Sequence, residues 1–66
     1  MNQFYKNYTL IFEKIEGVYY HRLYCKNKGK NVKIEHKKDG SKEDANNEIK
    51  AINKFYRTEF KPLKTQ

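Results

Sequence analysis

The sequence predicts an α+β fold, a three-stranded antiparallel meander followed by one C-terminal helix packed across one face (βββα). Three observations carry this expectation. Tyr8–Ile15, Val18–Cys25 and Val32–Lys37 are strand-length runs rich in β-branched and aromatic residues or alternating in polarity, separated by turn signals. Ala45, Ile49, Ile52 and Tyr56 recur at helical spacing. The two hairpin registers, worked out separately, sort the strand residues onto the same two faces. With 66 residues, the expected organisation is one small domain over 1–66, with 1–6 and 61–66 frayed.

The first hairpin turns at Glu16-Gly17. A two-residue loop there pairs Ile15 with Val18, Phe12 with His21, Leu10 with Leu23 and Tyr8 with Cys25, the glycine supplying a positive φ. The second turns at Lys28-Gly29, pairing Cys25 with Val32, Leu23 with Ile34 and Arg22 with Glu35. Since side chains alternate along a strand, one face holds Tyr8, Leu10, Phe12, Tyr19, Leu23, Cys25, Val32 and Ile34. The other holds Thr9, Ile11, Glu13, Tyr20, Arg22, Tyr24, Lys33, Glu35 and Lys37. The first is a core face and the second is polar, charged and aromatic.

Asp39-Gly40 ends the third strand. Ser41 is the expected helix N-cap, with Glu43 and Asp44 in the first turn, where the helix dipole favours acids. Phe55 and Phe60 flank the apolar stripe, and Lys42, Asn46, Asn47, Lys50, Asn53, Lys54 and Arg57 make a polar helix face. The hydrophobic share is 36%, low for a packed domain, and the aromatic share of 15% offsets it because each ring buries a large area.

Charge is concentrated. The net charge is +7, and +6 of it lies between Tyr20 and Lys38, where Arg22, Lys26, Lys28, Lys30, Lys33, Lys37 and Lys38 face one acid, Glu35. A localised basic patch with aromatics inside it is the footprint of a surface that meets a polyanion. The expected site is therefore the open sheet face and hairpin tip: Tyr20, Arg22, Tyr24, Lys26, Lys28, Lys30, Lys33 and Lys37. Arg can read guanine in the major groove, and lysines at the tip can hold phosphates. Ile11, Ile15 and Val18, if exposed together toward one end, would instead suit a protein partner.

No catalytic constellation or phosphate-binding glycine loop is visible, so no enzyme and no cofactor are expected. His21 and His36 are expected opposite one another on the helix side. Structural zinc takes four Cys or His ligands, and no third is close, so no metal is expected. The lone Cys25 excludes an intramolecular disulfide and favours a reducing, cytoplasmic setting. No apolar run approaches a membrane span.

Gly17-Val18-Tyr19-Tyr20-His21-Arg22-Leu23-Tyr24, then Lys28-Gly29-Lys30, then Ser41-Lys42-Glu43-Asp44-Ala45 resemble the arm-type DNA-binding domains of tyrosine integrases from phages and conjugative transposons. The resemblance covers about residues 8 to 58. It implies three strands and a helix, with the open sheet face entering the DNA major groove through Tyr20, Arg22, Tyr24 and Lys33. The helix entry departs from that family's Gly-Phe-x-Thr, reading Lys38-Asp39-Gly40-Ser41. A weaker resemblance, carried by Phe12-Glu13-Lys14 and by Asp39 to Ala45, is to HicB-type antitoxins, and implies a toxin-binding protein. The expectation is a small DNA-binding protein of phage or mobile-element type, DNA over RNA, acting as a monomer or weak dimer off the membrane. The alternative is a protein-interaction module using the sheet.

Overall fold

A computed structural model describes residues 1–64. The chain is α+β, but the sheet has four strands, not three. The strands β1 (Asn2–Tyr5), β2 (Tyr8–Ile15), β3 (Val18–Asn27) and β4 (Lys30–Gly40) form an antiparallel meander in the order β1-β2-β3-β4, followed by α1 (Lys42–Tyr56). The extra strand lies where a frayed end was expected. It is joined to β2 by a two-residue loop at Lys6-Asn7, where Lys6 takes φ 50°. Neither loop residue is glycine, which hides this hairpin from turn-signal reading.

The β2–β3 register is the expected one, from Tyr8↔Cys25 to Ile15↔Val18. At the next hairpin Cys25 pairs with Val32, again as expected, but the agreement stops at Tyr24↔Lys33. Ile34 is an extra residue, so Leu23 faces Glu35 and Arg22 faces His36. A second irregularity follows: Tyr20 faces Lys38 and Tyr19 faces Gly40, leaving Asp39 unpaired. Because pleat parity has period two, each bulge moves the following side chains to the opposite face. Between the bulges Glu35 and Lys37 therefore face the helix, while His36 and Lys38 face outward. Ile34 itself is 40% exposed and is not a core residue.

A buried imidazole explains the arrangement. His21 is 1% exposed and lies on the core face among Leu10, Phe12 and Leu23. Its Nδ1 is 2.7 Å from Asp39 Oδ1 and its Nε2 is 2.5 Å from Glu35 Oε1. A doubly protonated ring donates from both nitrogens; a neutral ring would leave one acid without a donor. Without the bulge at Ile34, His36 would lie against His21 and Glu35 would point away. A buried polar group without partners costs several kcal/mol, so one lost ladder position is the smaller penalty.

The core consists of Leu10, Phe12, Leu23, Ala45, Ile49, Ile52, Phe60 and Leu63. Ala45, Ile49 and Ile52 are the expected helix stripe, and Tyr56 packs on Tyr8 with ring centroids 5.5 Å apart. Ser41 caps α1 in a reciprocal box with Asp44, its hydroxyl accepting from the Asp44 N–H. Gly40 precedes the cap at φ 111°, and a Cβ there would lie 2.8 Å from Asp44 Oδ2. Phe55, by contrast, is 78% exposed.

α1 covers β3 and β4; the tail after it covers β1. Three amide side chains hold this tail. Asn53 accepts from the Phe60 N–H and the Thr58 hydroxyl and donates to the Phe60 carbonyl. Gln3 of β1 both donates to the Lys61 carbonyl and accepts from its N–H, at 2.7 and 2.8 Å. Asn46 accepts from the Leu63 N–H at 2.7 Å. Pro62, between them, has no N–H to satisfy. Phe60 and Leu63 are thereby seated in the core, Phe60 edge-on to Tyr5. Residues 61–64 are thus part of the packed structure; the frayed end expected for Thr65 and Gln66 lies outside the described residues.

Two stability predictions arise. Asn53→Ala removes three hydrogen bonds and leaves the buried Thr58 hydroxyl and the Phe60 N–H without partners, each worth about 1–3 kcal/mol when left unsatisfied. Urea unfolding should show a loss of about 2–4 kcal/mol, against a change within about 0.5 kcal/mol for exposed Asn47→Ala. A small effect at Asn53 would show that the tail does not stabilise the fold.

The second concerns pH. Burial raises the Asp39 carboxyl above its ordinary 3.8, partly countered by its hydrogen bond to His21. A raised folded-state value gives stability that is complete below the unfolded value and lost as pH rises through the folded one. Asp39→Asn keeps an acceptor for His21 and removes that loss. The melting temperature of the variant relative to wild type should therefore rise as pH increases from about 4. Parallel curves would contradict it.

Candidate nucleic-acid interface

With α1 and the tail on one side, the other face of the sheet is uncovered. Strand pairing arranges it in rows. One row holds Glu13, Tyr20 and Lys38; the next Asn2, Ile11, Arg22 and His36; the next Phe4, Thr9, Tyr24 and Lys33; and Lys26 with Asn31 completes it near the β3–β4 tip. Arg22, Lys26, Lys33 and Lys38 all lie on β3 and β4. The β1–β2 half carries Phe4, Thr9, Ile11, Ile15 and one acid, Glu13.

Of the eight residues expected at the site, Tyr20, Arg22, Tyr24, Lys26 and Lys33 share this face. Lys28 and Lys30 are exposed at the hairpin tip. Lys37 does not belong to it. The bulge at Ile34 turns Lys37 toward the helix, where its ammonium lies 3.0 Å from Glu48 Oε2. That hydrogen bond and the charge of Glu48 raise the Lys37 pKa above its usual value. Lys38 and His36 take its place on the open face. The sequence held one clue to this exchange: a histidine at a core position, with acids fourteen and eighteen residues further on in the partner strand.

Arg22 is restrained. One guanidinium nitrogen lies 3.0 Å from Glu13 Oε1, and another lies 3.4 Å from the Tyr24 hydroxyl. Its Nε is buried without a partner. The expected Arg22–Glu35 pair does not form; Glu13, diagonal to Arg22 on the neighbouring strand, replaces Glu35. Both members of the actual pair are partly solvent-exposed, so the interaction is worth about 0–1 kcal/mol and can exchange for a phosphate or a base edge.

Other candidates separate. His21 and His36 are on opposite faces. His21, Asp39 and Glu48 offer ligand atoms within 4.8 Å of one another, but His21 is already bonded to Asp39 and Glu48 to Lys37. Cys25 is half-buried, with its sulfur 3.8 Å from the Lys26 carbonyl. On the polar helix face Asn46 and Asn53 are committed to the tail, leaving Lys50, Lys54 and Arg57 exposed. Of the apolar trio at one end of the sheet, Ile15 is 52% exposed while Ile11 and Val18 are half-buried. No helix among the described residues is long and apolar enough to cross a membrane.

Removing the Glu13 carboxylate should free Arg22 and delete the one acid on the face. Glu13→Gln is expected to raise affinity for an anionic ligand up to about fivefold, read by fluorescence anisotropy with duplex DNA. Weaker binding by this variant would mean that Glu13 positions Arg22 for contact. Searches against protein-family models, curated proteins and solved structures each return no match to the chain.

Proposed function

We propose that this chain is a small non-enzymatic nucleic-acid-binding protein that takes duplex DNA on the β3–β4 half of its open sheet face. One observation carries the reading: Arg22, Lys26, Lys33 and Lys38 share one face of two adjacent strands, interleaved with Tyr20 and Tyr24. Adjacent strands lie about 4.8 Å apart, and the B-DNA major groove, about 12 Å wide, admits a two-stranded ribbon. Lys26, Lys28, Lys30, Lys33 and Lys38 supply the sequence-independent hold on phosphates. Arg22, released from Glu13, is the group able to read a guanine edge.

The resemblance to integrase arm-type domains supports the same use of the face, and with it a phage or mobile-element role in the cytoplasm. A monomer suffices for it. The departures at Lys37 and Lys38 alter which lysine contacts DNA, not which surface does.

A protein partner is the second reading, favoured by a different surface. Val32, Ile34 and Phe55 are 46%, 40% and 78% exposed, and β4 is an unpaired sheet edge. An inhibitor or antitoxin would use that margin.

Titration with duplex DNA at several salt concentrations tests the first reading. Neutralising about five phosphates gives a slope near −4.5 in log affinity against log salt. Arg22→Ala with Lys33→Ala should weaken binding at least about tenfold, since one bidentate base contact is worth about 1–3 kcal/mol. Lys37→Ala should leave DNA binding unchanged. A flat salt dependence, or equal losses for Lys37 and Lys33, would overturn the assignment.

A further inference from the structure

The β1–β2 half of the open face contains a feature that groove binding by β3 and β4 does not use. Phe4 projects from the edge strand with 74% of its surface exposed. Its parity puts it on the open face with Thr9 and Tyr24 in the same row. The neighbouring aromatics are partnered: Tyr5 packs on Phe60, and Tyr8 on Tyr56. An exposed phenyl ring forgoes about 1.5–3 kcal/mol of burial, and nothing in the fold requires it there. A threonine or lysine would serve an edge strand as well.

Beside Phe4 lies a cleft of about 190 Å³, lined by Phe4, Lys6, Asn7, Thr9, Lys26 and Asn31. It is smaller than the roughly 300–1,000 Å³ typical of sites for drug-sized molecules, and so suits one planar ring system. Thr9 is the low floor between the taller Phe4 and Tyr24. Lys26 brings an exposed cation to its margin, the Lys6 ammonium lies instead over the Tyr5 ring, and no carboxylate lines the cleft. Asn7 and Asn31 each offer an amide donor and an acceptor. An aromatic face selects a π-system, the Lys26 cation favours an anion, and adjacent amides suit a heteroaromatic edge. A nucleotide combines all three.

We propose that this cleft binds one unpaired nucleotide of a DNA strand. The base stacks on Phe4 above Thr9, its phosphate lies against Lys26, and its edge is met by Asn7 or Asn31. This rests on the nucleic-acid reading above and narrows it: the preferred target is a duplex with an adjoining single-stranded segment. β3 and β4 hold the duplex while the cleft holds the first base that leaves it. Lys26 borders both regions.

Fluorescence anisotropy with a blunt duplex, the same duplex carrying a single-stranded extension, and the single strand alone tests the proposal. The extension should raise wild-type affinity about tenfold, the order of one base–aromatic stack. Phe4→Ala should abolish that gain and leave blunt-duplex affinity unchanged, while Phe4→Trp keeps it. Phe4 is exposed, and circular dichroism checks that each variant is folded. Equal affinity for blunt and extended probes, or an extension gain that survives Phe4→Ala, overturns the cleft while leaving the duplex reading standing. Binding of the single strand alone, lost in Phe4→Ala, with no blunt-duplex binding, supports the cleft and overturns the duplex reading. Binding of none of the three probes overturns both.

Discussion

A buried imidazole with both nitrogens bonded sets the geometry of this sheet. His21 occupies a core position among Leu10 and Phe12 of β2 and Leu23 of its own strand. Burial there is tolerable only if its two ring nitrogens find partners, and the partners are Asp39 and Glu35 of the adjacent strand. A regular β4 would point Glu35 away. The bulge at Ile34 shifts the parity so that Glu35 and Asp39 both fall on the core side, and a second irregularity leaves Asp39 without a strand partner there. The same parity change sends Lys37 to the helix and Lys38 to solvent. A requirement of the core thus decides which cations the outer face presents.

The second organising feature is the joining of the two ends of the chain. In a protein this small the fraction of surface buried is low, and one helix is too narrow to cover a four-stranded sheet. Phe60 and Leu63 complete the cover, but an extended tail has backbone groups that must be satisfied wherever it lies against the core. Gln3, Asn46 and Asn53 act as substitutes for a neighbouring strand. Gln3 is itself on β1, so the tail and the edge strand order one another; neither has enough local contacts to be stable alone.

These two features also mark where sequence reading stopped. Registers near tight turns were legible because glycine at Gly17 and Gly29 marks the loop and period-two alternation does the rest. The helix was legible from Ser41, from the acids after it and from the stripe at Ala45, Ile49 and Ile52. The bulges were not, because Val32 and Ile34 alternate with Lys33, Glu35 and Lys37 as in a regular strand, with nothing to mark an extra residue. The β1 hairpin was hidden by a turn of Lys6 and Asn7, and the tail by polar side chains whose partners are backbone atoms far away in sequence. Asn46 and Asn53 have the look of a solvated helix face; their spacing of seven, two helical turns, reads as a tether only once the tail is in place. At the site, Arg22, Tyr20 and Tyr24 were legible because they precede the first bulge from the turn at Gly17, and Lys37 was misplaced because it follows one on β4.

The uncovered face consequently divides along its strands. The outer half, β3 and β4, has cations, tyrosines and little apolar surface; the half formed by β1 and β2 has Phe4, Ile11 and Ile15 with one acid. A uniformly basic face would hold any polyanion with little preference, since phosphate contacts carry no sequence information. On the proposed reading, a face with one cationic half and one aromatic half would discriminate by structure: a continuous duplex would satisfy the first and leave Phe4 in water, whereas a strand with an unpaired base would engage both. Glu13 reinforces the division. It lies diagonally opposite Arg22 at the boundary and holds the guanidinium at 3.0 Å. On its other side, Lys33 and Lys38 lie on the adjacent strand β4, on the same face. The boundary between the halves is thus marked by one weak ion pair, and its small energy is what would let it open to a stronger anion on the proposed reading.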